Sequence, residues 1–272
     1  MLVFPHCKIN LGLWVTGQLD DGFHTIQTVM FPVPWCDILE IVPTTGMTML
    51  TVTGVEIEGP FDKNLCFRAW KLLAEEHGIP SVAMHLHKII PVGAGLGGGS
   101  SDAAFTLRVL NKLFDLKLTD ALMQQYALQL GMDCTFFLKD IPALATGKGE
   151  ILSPVNLNLD NYFLTIVKPP IHVSTADAYA AIQPHYREGT IDHLTSLPVA
   201  HWKDSLRNDF ETSILVKFPE ISEIKKILYD QGAAYASMSG SGSAVFGLFS
   251  QKPAEKEFRG CQVFQTLLGR NT

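Results

Sequence analysis

Ile90-Pro91-Val92-Gly93-Ala94-Gly95-Leu96-Gly97-Gly98-Gly99-Ser100-Ser101-Asp102-Ala103-Ala104 places five glycines in seven residues and runs straight into apolar positions at helical spacing. Glycines let a backbone take positive φ and come close to a ligand. A helix start adds unpaired N–H groups and the positive end of its dipole. Together they make an anion site, most often for phosphate. Gly93, Gly95 and Gly98 satisfy the G-x-G-x-x-G spacing, but a dinucleotide fold needs an acidic residue at the end of the next strand, about 20 residues on. Another helix is read there instead. No Gly-Lys-Ser/Thr closes the loop as a Walker motif would, and the Val-Ala-Ile-Lys and His-Arg-Asp segments of protein kinases are absent. A turn that merely tightens strand-to-helix packing needs one glycine, not Gly97-Gly98-Gly99-Ser100-Ser101.

The 272 residues suffice for one large domain or two moderate ones, and 47% hydrophobic with 18% charged residues marks an ordered globular chain. A net charge of −6 leaves no basic surface for a nucleic-acid polymer. Any nucleotide bound is therefore small. Cys7, Cys36, Cys66, Cys134 and Cys261 are odd in number and widely spaced, without a C-x-x-C pair, so they read as reduced thiols rather than a zinc site or disulfide framework. No targeting segment and no membrane-length apolar run is read. The expectation is a soluble cytoplasmic protein.

Along the chain, Leu2 to Val15 reads as one strand, Gly17 to Gly22 as a turn and Phe23 to Val29 as a second strand. Asp37 to Val42 and Met47 to Thr53 read as a pair around Pro43-Thr44-Thr45-Gly46. Asn64 caps a helix through His77 that stops at Gly78, and Thr119 caps another that stops at Gly131. Val82, Met84 and Leu86 alternate with His85 and His87, which gives a half-buried strand entering the glycine loop. The two histidines lack further ligands and read as solvated rather than metal-binding. Asp133 stands at a helix exit against the apolar run Cys134-Thr135-Phe136-Phe137-Leu138, and an acid in that setting needs a reason. Further on come a strand over Phe163 to Val167, a short helix from Thr175 to Ile182 and a polar stretch to about Asp209. A helix from Glu220 to Gln231 follows, then strands at Ala234 to Met238 and Ala244 to Phe249 around Ser239-Gly240-Ser241-Gly242-Ser243. This order suggests an α+β sandwich in the second half.

Lys8-Ile9-Asn10-Leu11, Asp21-Gly22-Phe23-His24, Asn64-Leu65, Gly95 to Ser101, Gly147-Lys148-Gly149-Glu150 and Ser239 to Ser243 occur in an order that resembles the GHMP small-molecule kinases. Within them the likeness is to the branch acting on a substrate that carries a cytidine diphosphate. The resemblance implies a two-domain α+β GHMP kinase fold, with a ribosomal-S5-like domain over residues 1–158 and a ferredoxin-like domain over 159–272. It places the active site in the cleft between them. It further implies ATP, accompanied by Mg²⁺, along Pro91, Gly93, Gly95, Gly97, Gly98, Gly99, Ser100 and Ser101, with Asn64 and Lys88 beside the nucleotide. The metal ligands are not identified.

Phosphoryl transfer needs an alcohol held in line, cationic charge on the phosphate oxygens and a proton acceptor. Asp133 is the candidate base and Lys8 its cationic neighbour. By the same resemblance Asn10, Phe23, His24, Thr175, Tyr179 and Gly240 bind the small-molecule cytidyl diphosphate substrate. His24 reads the base edge, Phe23 and Tyr179 flank the ring, and Thr175, as a helix cap, and Gly240 lie near the diphosphate. The chain departs from the family pattern at His6-Cys7, Phe23, Met132 and Cys134-Thr135, where the family commonly has Pro-Ala, Tyr, Ala and Val-Pro. Two other readings stand beside this one: a kinase for another small alcohol, such as homoserine or a mevalonate derivative, and a non-catalytic ATP-binding module. Lys8 and Asp133 speak against the second.

Overall fold

The protein is described by a computed structural model that covers the chain apart from residues 181, 183, 185, 186, 188 and 270–272. Its strands are β1 (Leu2–Val3), β2 (His6–Gln18), β3 (His24–Cys36), β4 (Ile38–Pro43), β5 (Met49–Gly54), β6 (Val82–Lys88), β7 (Ala143–Thr146), β8 (Ile151–Pro154), β9 (Phe163–Lys168), β10 (Tyr235–Met238), β11 (Val245–Phe249) and β12 (Gln262–Leu267). Its helices are α1 (Leu65–His77), α2 (Gly98–Leu113), α3 (Asp120–Leu130), α4 (Thr175–Ala180), α5 (Asp192–Thr195), α6 (Trp202–Ser205), α7 (Glu211–Lys217) and α8 (Pro219–Asp230). They form two compact units that interleave along the sequence. One comprises Met1–Cys7, Pro34–Val92 and Gly97–Asp140, and the other Lys8–Val33, Gly93–Leu96 and Ile141–Thr272.

In the first unit the sheet order is β1-β4-β6-β5, antiparallel except where β5 runs parallel to β6. The strands' period of two turns Leu39, Ile41, Met84 and Leu86 to one side, where Ala69 and Leu73 of α1, Ala103, Leu107 and Leu110 of α2 and Met123 and Ala127 of α3 cover them. Asn64 accepts from the Cys66 amide at 2.9 Å and Thr119 from the Leu122 amide at 3.3 Å, so both caps fall where the sequence puts them. The second unit holds the sheets β2-β3-β7-β8 and β10-β11-β9-β12. Its core joins Leu13, Val15 and Ile26 to Val167, Met238, Val245 and the inner face of α8, Ile221, Ile224 and Leu228.

Several expectations change. The first strand is interrupted, because Pro5 has no N–H to give to a ladder. β4 and β5 do not pair with each other. β6 inserts between them, since its backbone can serve both at once. The sequence pattern does not mark the short strands β7 and β8 or the edge strand β12. β12 is largely exposed and so lacks the apolar alternation that marks a strand. The helix expected over 175–182 spans Thr175–Ala180, and residue 181 lies outside the described residues. Its cap is Ser174, whose Oγ accepts from the Asp177 amide at 3.0 Å, which makes Thr175 the first helical residue rather than the cap. No helix among the described residues is long and apolar enough to cross a membrane.

Candidate active site

In the first unit the chain enters the glycine loop from β6 and leaves it into α2. Pro91 is buried, and Gly93 and Gly99 are exposed. At the helix start the Ser101 amide bonds the Gly97 carbonyl at 2.9 Å, which leaves the amides of Gly98, Gly99 and Ser100 ahead of the first intrahelical bond. The Ser101 hydroxyl is buried and has no hydrogen-bond partner. Leu65, next to Asn64, lies beside this start: a Cβ at Gly99 would sit 3.8 Å from Leu65 Cδ1.

Lys88 faces inward. Its ammonium pairs with Asp37 and, at 2.9 Å, with Asp102, and all three side chains are almost wholly buried. Burial opposes the lysine's charge, but Asp102 and Asp37 hold its pKa above the ordinary range. Burial pushes the Asp102 carboxyl up to about 7, and Lys88 only partly offsets this. The side chain expected along the nucleotide is thus committed to two carboxylates.

Asp133 sits, half-buried, in a 3-10 turn over Met132–Leu138 that follows α3 and packs its next four residues into the interior. Cys134 meets Ser100 of the loop, and burial pushes its thiol up to about 12. Asp133's turn and the helix start are therefore neighbours in one unit.

The second unit assembles Lys8, Asn10, Gly95, Ser239 and Gly240. Lys8 is 3% exposed. Its Nζ donates to Asn10 Oδ1 at 2.5 Å and to the Gly95 carbonyl at 2.9 Å, while its backbone amide donates to the Leu96 carbonyl at 2.9 Å. Ser239 Oγ donates to the same Gly95 carbonyl at 2.8 Å and receives the Asn10 amide at 3.2 Å. Asn208 Nδ2 reaches the carbonyls of Met238 and Gly240, each at 2.8 Å, and so fixes the serine-glycine loop. Asn10 Nδ2 in turn donates to Thr28 Oγ1 at 3.0 Å.

The aromatic residues lie in this unit as well. His24 stacks on Tyr179 with centroids 4.8 Å apart and planes at 20°, and Tyr179 meets Phe210 edge-on. Phe23 is 57% exposed, with Lys148 Nζ 4.3 Å over its ring. Lys148 also pairs with Asp21 at 2.6 Å, and its hydrogen bond, with that of the Phe23 amide, holds the Asp21 carboxyl below its usual range. Thr175 Oγ1 lies 3.5 Å from Ser241 Oγ.

Asp37, Thr28, Asn208 and the side chain of Lys148 were not singled out in the sequence. For Asp37 the signal was present, a lone acid between Trp35-Cys36 and Ile38-Leu39, of the kind that drew attention to Asp133. Thr28 and Asn208 act through contacts distant in sequence and leave no local mark, whereas Lys148 stands in the Gly147-Lys148-Gly149-Glu150 stretch, which does not reveal its pairing with Asp21.

Comparison with known proteins places this geometry. The GHMP kinases N terminal domain matches residues 64–141 and the GHMP kinases C terminal domain residues 200–262. The 4-diphosphocytidyl-2-C-methyl-D-erythritol kinase of Bacteroides fragilis is 48% identical over 98% of this chain and 100% of its own length. A crystal structure of 4-(cytidine 5'-diphospho)-2C-methyl-D-erythritol kinase superposes with a TM-score of 0.78 at 33% identity, covering 91% of this chain and 90% of that one. The homoserine kinase of Cytophaga hutchinsonii superposes with a TM-score of 0.62 at 17% identity, covering 90% and 86%, a likeness of fold alone. The α+β architecture is accordingly the two-domain GHMP fold.

Proposed function

The chain belongs to the 4-diphosphocytidyl-2-C-methyl-D-erythritol kinases of the GHMP family, and we propose from that premise which of its residues carry the reaction. It is a small-molecule kinase of the non-mevalonate isoprenoid pathway that phosphorylates the 2-hydroxyl of 4-diphosphocytidyl-2-C-methyl-D-erythritol at the expense of ATP.

The alcohol oxygen attacks the γ-phosphorus, the bond to the β-phosphate oxygen breaks with its electron pair leaving on ADP, and the hydroxyl proton passes to the Asp133 carboxylate. Lys8 supplies positive charge where the phosphoryl oxygens gather it. The observation that carries this reading is the buried Lys8 ammonium held by Asn10 and the glycine-loop carbonyl of Gly95. A cation so fixed costs no reorganisation when charge develops.

The amides of Gly98, Gly99 and Ser100 are the donors proposed for the triphosphate, with Pro91, Gly93, Gly95 and Gly97 shaping the approach. The unpartnered Ser101 hydroxyl is a hard oxygen donor that fits Mg²⁺, and Mg²⁺ would neutralise phosphate charge there. Asn64, whose side chain caps α1, is proposed to border the nucleotide, as is the backbone of Lys88. His24, Phe23 and Tyr179 are assigned to the cytosine, and Asn10, Thr175 and Gly240 to the rest of the substrate. The matched segments 64–141 and 200–262 fall on either side of the proposed boundary at 158/159. Five thiols with no disulfide support a cytoplasmic setting.

The test is an ADP-release assay that offers the cytidyl alcohol, homoserine and mevalonate in parallel. Turnover of the cytidyl alcohol is expected, and turnover confined to homoserine or mevalonate would refute the assignment.

A further inference from the structure

The Lys88, Asp37 and Asp102 cluster is the most heavily buried charge in the first unit, and the chemistry above does not use it. Its three members come from three places in the chain. Asp37 precedes β4, Lys88 ends β6 just before the glycine loop, and Asp102 is the fifth residue of α2, just after it. Asp37 Oδ1 receives the amides of Ile89 at 2.6 Å and Ile90 at 2.8 Å, the residues that lead into the loop. Its other oxygen receives the Lys88 ammonium, which at the same time reaches Asp102 Oδ2 at 2.9 Å.

One ammonium therefore ties the foot by which the chain enters the loop to the foot by which it leaves. An independent contact shows how close the two feet are. A Cβ placed on Gly98, in the first turn of α2, would fall 2.9 Å from Ile90 Cγ2 and 3.2 Å from Lys88 Nζ. The residue type at position 98 is thus set by the residues at 88 and 90, across the base of the loop.

We propose that Lys88 is a positioning residue for nucleotide binding, a buried staple that, with Asp37 and Asp102, fixes the separation of the loop's two feet and so the aim of the α2 amides at the phosphates. Its ammonium acts through the loop and does not touch the nucleotide. An apolar trio of similar size would fill the same space without the desolvation that three buried charges incur. What it would lack is direction. Hydrogen bonds from one ammonium to two carboxylates, and from one carboxylate to two consecutive amides, specify where both feet stand.

This rests on the loop being the nucleotide site, and the experiment separates the two ideas. Titration calorimetry with a non-hydrolysable ATP analogue is run on the wild type, Lys88→Met and Asp37→Asn, with circular dichroism confirming the fold, and KM values for ATP and for the cytidyl alcohol are measured alongside. Both variants are expected to bind the analogue about tenfold more weakly and to raise KM for ATP, with KM for the alcohol within about twofold of wild type. A general loss of structure would move both KM values together.

If the ammonium instead gripped the nucleotide directly, Asp37→Asn would free it, and binding would hold or tighten while Lys88→Met weakened it. That pattern overturns the staple, as does wild-type affinity in both variants. Should Lys88→Met fail to fold, Lys88→Met/Asp37→Asn replaces it in the same comparison, because Asp102 can then be neutralised by a proton. Native affinity in that double variant is equally fatal. A wild-type protein that binds no ATP analogue refutes the nucleotide-loop reading and the staple with it.

Discussion

Gly95→Ala puts the contact between the glycine loop and the serine-glycine loop to a quantitative test. Gly95 has φ +75°, and a Cβ built there lies 2.0 Å from the Ser239 carbonyl oxygen, where real Cβ contacts essentially never come under 3.0 Å. The two backbones must part by about 1 Å, which stretches the 2.8 Å bond from Ser239 Oγ to the Gly95 carbonyl beyond useful length. Left-handed backbone costs an alanine about 1–2 kcal/mol. Losing a buried hydrogen bond adds about 1–2 kcal/mol. The total is about 2–4 kcal/mol. Gly232→Ala is the control, since Gly232 has φ +92° but nothing within 4 Å of the added Cβ, so only the backbone cost applies. Urea unfolding at equal m should show Gly95→Ala less stable than Gly232→Ala by about 1–2 kcal/mol, or about 0.5–1 M in midpoint at m near 2 kcal/mol/M. The same 1 Å shift moves the carbonyl that holds Lys8, so kcat/KM is expected to fall about 10²-fold in Gly95→Ala alone. Equal midpoints and equal activities for the two variants would refute the close approach.

Asp133→Asn is expected to lower kcat by about 10²–10⁴-fold while analogue binding by calorimetry stays near wild type, and wild-type turnover would remove Asp133 from proton transfer. His24→Ala should raise KM for the cytidyl alcohol about two- to fivefold, one hydrogen bond of about 1.4 kcal/mol to the base edge less the roughly 0.5–1 kcal/mol of stacking on Tyr179 that the alanine no longer has to give up, with KM for ATP unmoved. An unchanged KM for the alcohol would mean that the base is read elsewhere. Asp140→Asn tests an ion pair. Burial raises the Asp140 carboxyl, but His6 and Arg108 more than offset it and hold the group below its ordinary value. A depressed carboxylate contributes stability that is complete above the unfolded pKa of about 3.9 and vanishes as pH falls through the folded value. The Tm advantage of wild type over Asp140→Asn should therefore be present at pH 5 and close towards pH 3 and below. An advantage that grows on acidification below pH 5 contradicts the pairing. The partly exposed pair limits the effect to about 1 kcal/mol or less.

What the sequence made legible was whatever is encoded within a few residues. The caps at Asn64 and Thr119, the stop at Gly78 and the helical spacing after Ser101 all depend on neighbours within one turn, and each stands where expected. Strand pairing is not local. Pro43-Thr44-Thr45-Gly46 has the composition of a hairpin turn, yet β6 offers β4 and β5 a partner on each edge, and its alternating Val82, Met84 and Leu86 give the sheet a buried face that a lone two-stranded ribbon would lack. Lys88 shows the same limit at the level of chemistry. A lysine just before a phosphate loop is expected beside the nucleotide until Asp37, 51 residues earlier, is seen to hold it. The arrangement of Lys8, Asn10 and Ser239 likewise joins residues 229 positions apart, so only the residue types could be read in advance.

The aromatic residues assigned to the base follow the same division between type and arrangement, and their geometry constrains how a cytosine enters. A planar base between two rings needs centroids about 7 Å apart, twice an ordinary stacking distance of about 3.5 Å. His24 and Tyr179 stand 4.8 Å apart and nearly parallel, so no base fits between them as they are placed. Tyr179 is also packed edge-on by Phe210 at 4.8 Å, which holds its ring in position. Of the pair, His24 is the side chain that must turn, and in turning it can present a ring nitrogen to the base edge. Giving up one aromatic contact costs about 0.5–1.5 kcal/mol. A cytosine stacked in its place returns about 1–3 kcal/mol. Exchange is thus favourable for a flat aromatic base and unfavourable for an aliphatic alcohol such as homoserine, which has no ring to offer Tyr179 in return. The closed His24–Tyr179 stack therefore adds to the substrate preference through the contact that must be given up as well as the one that is gained.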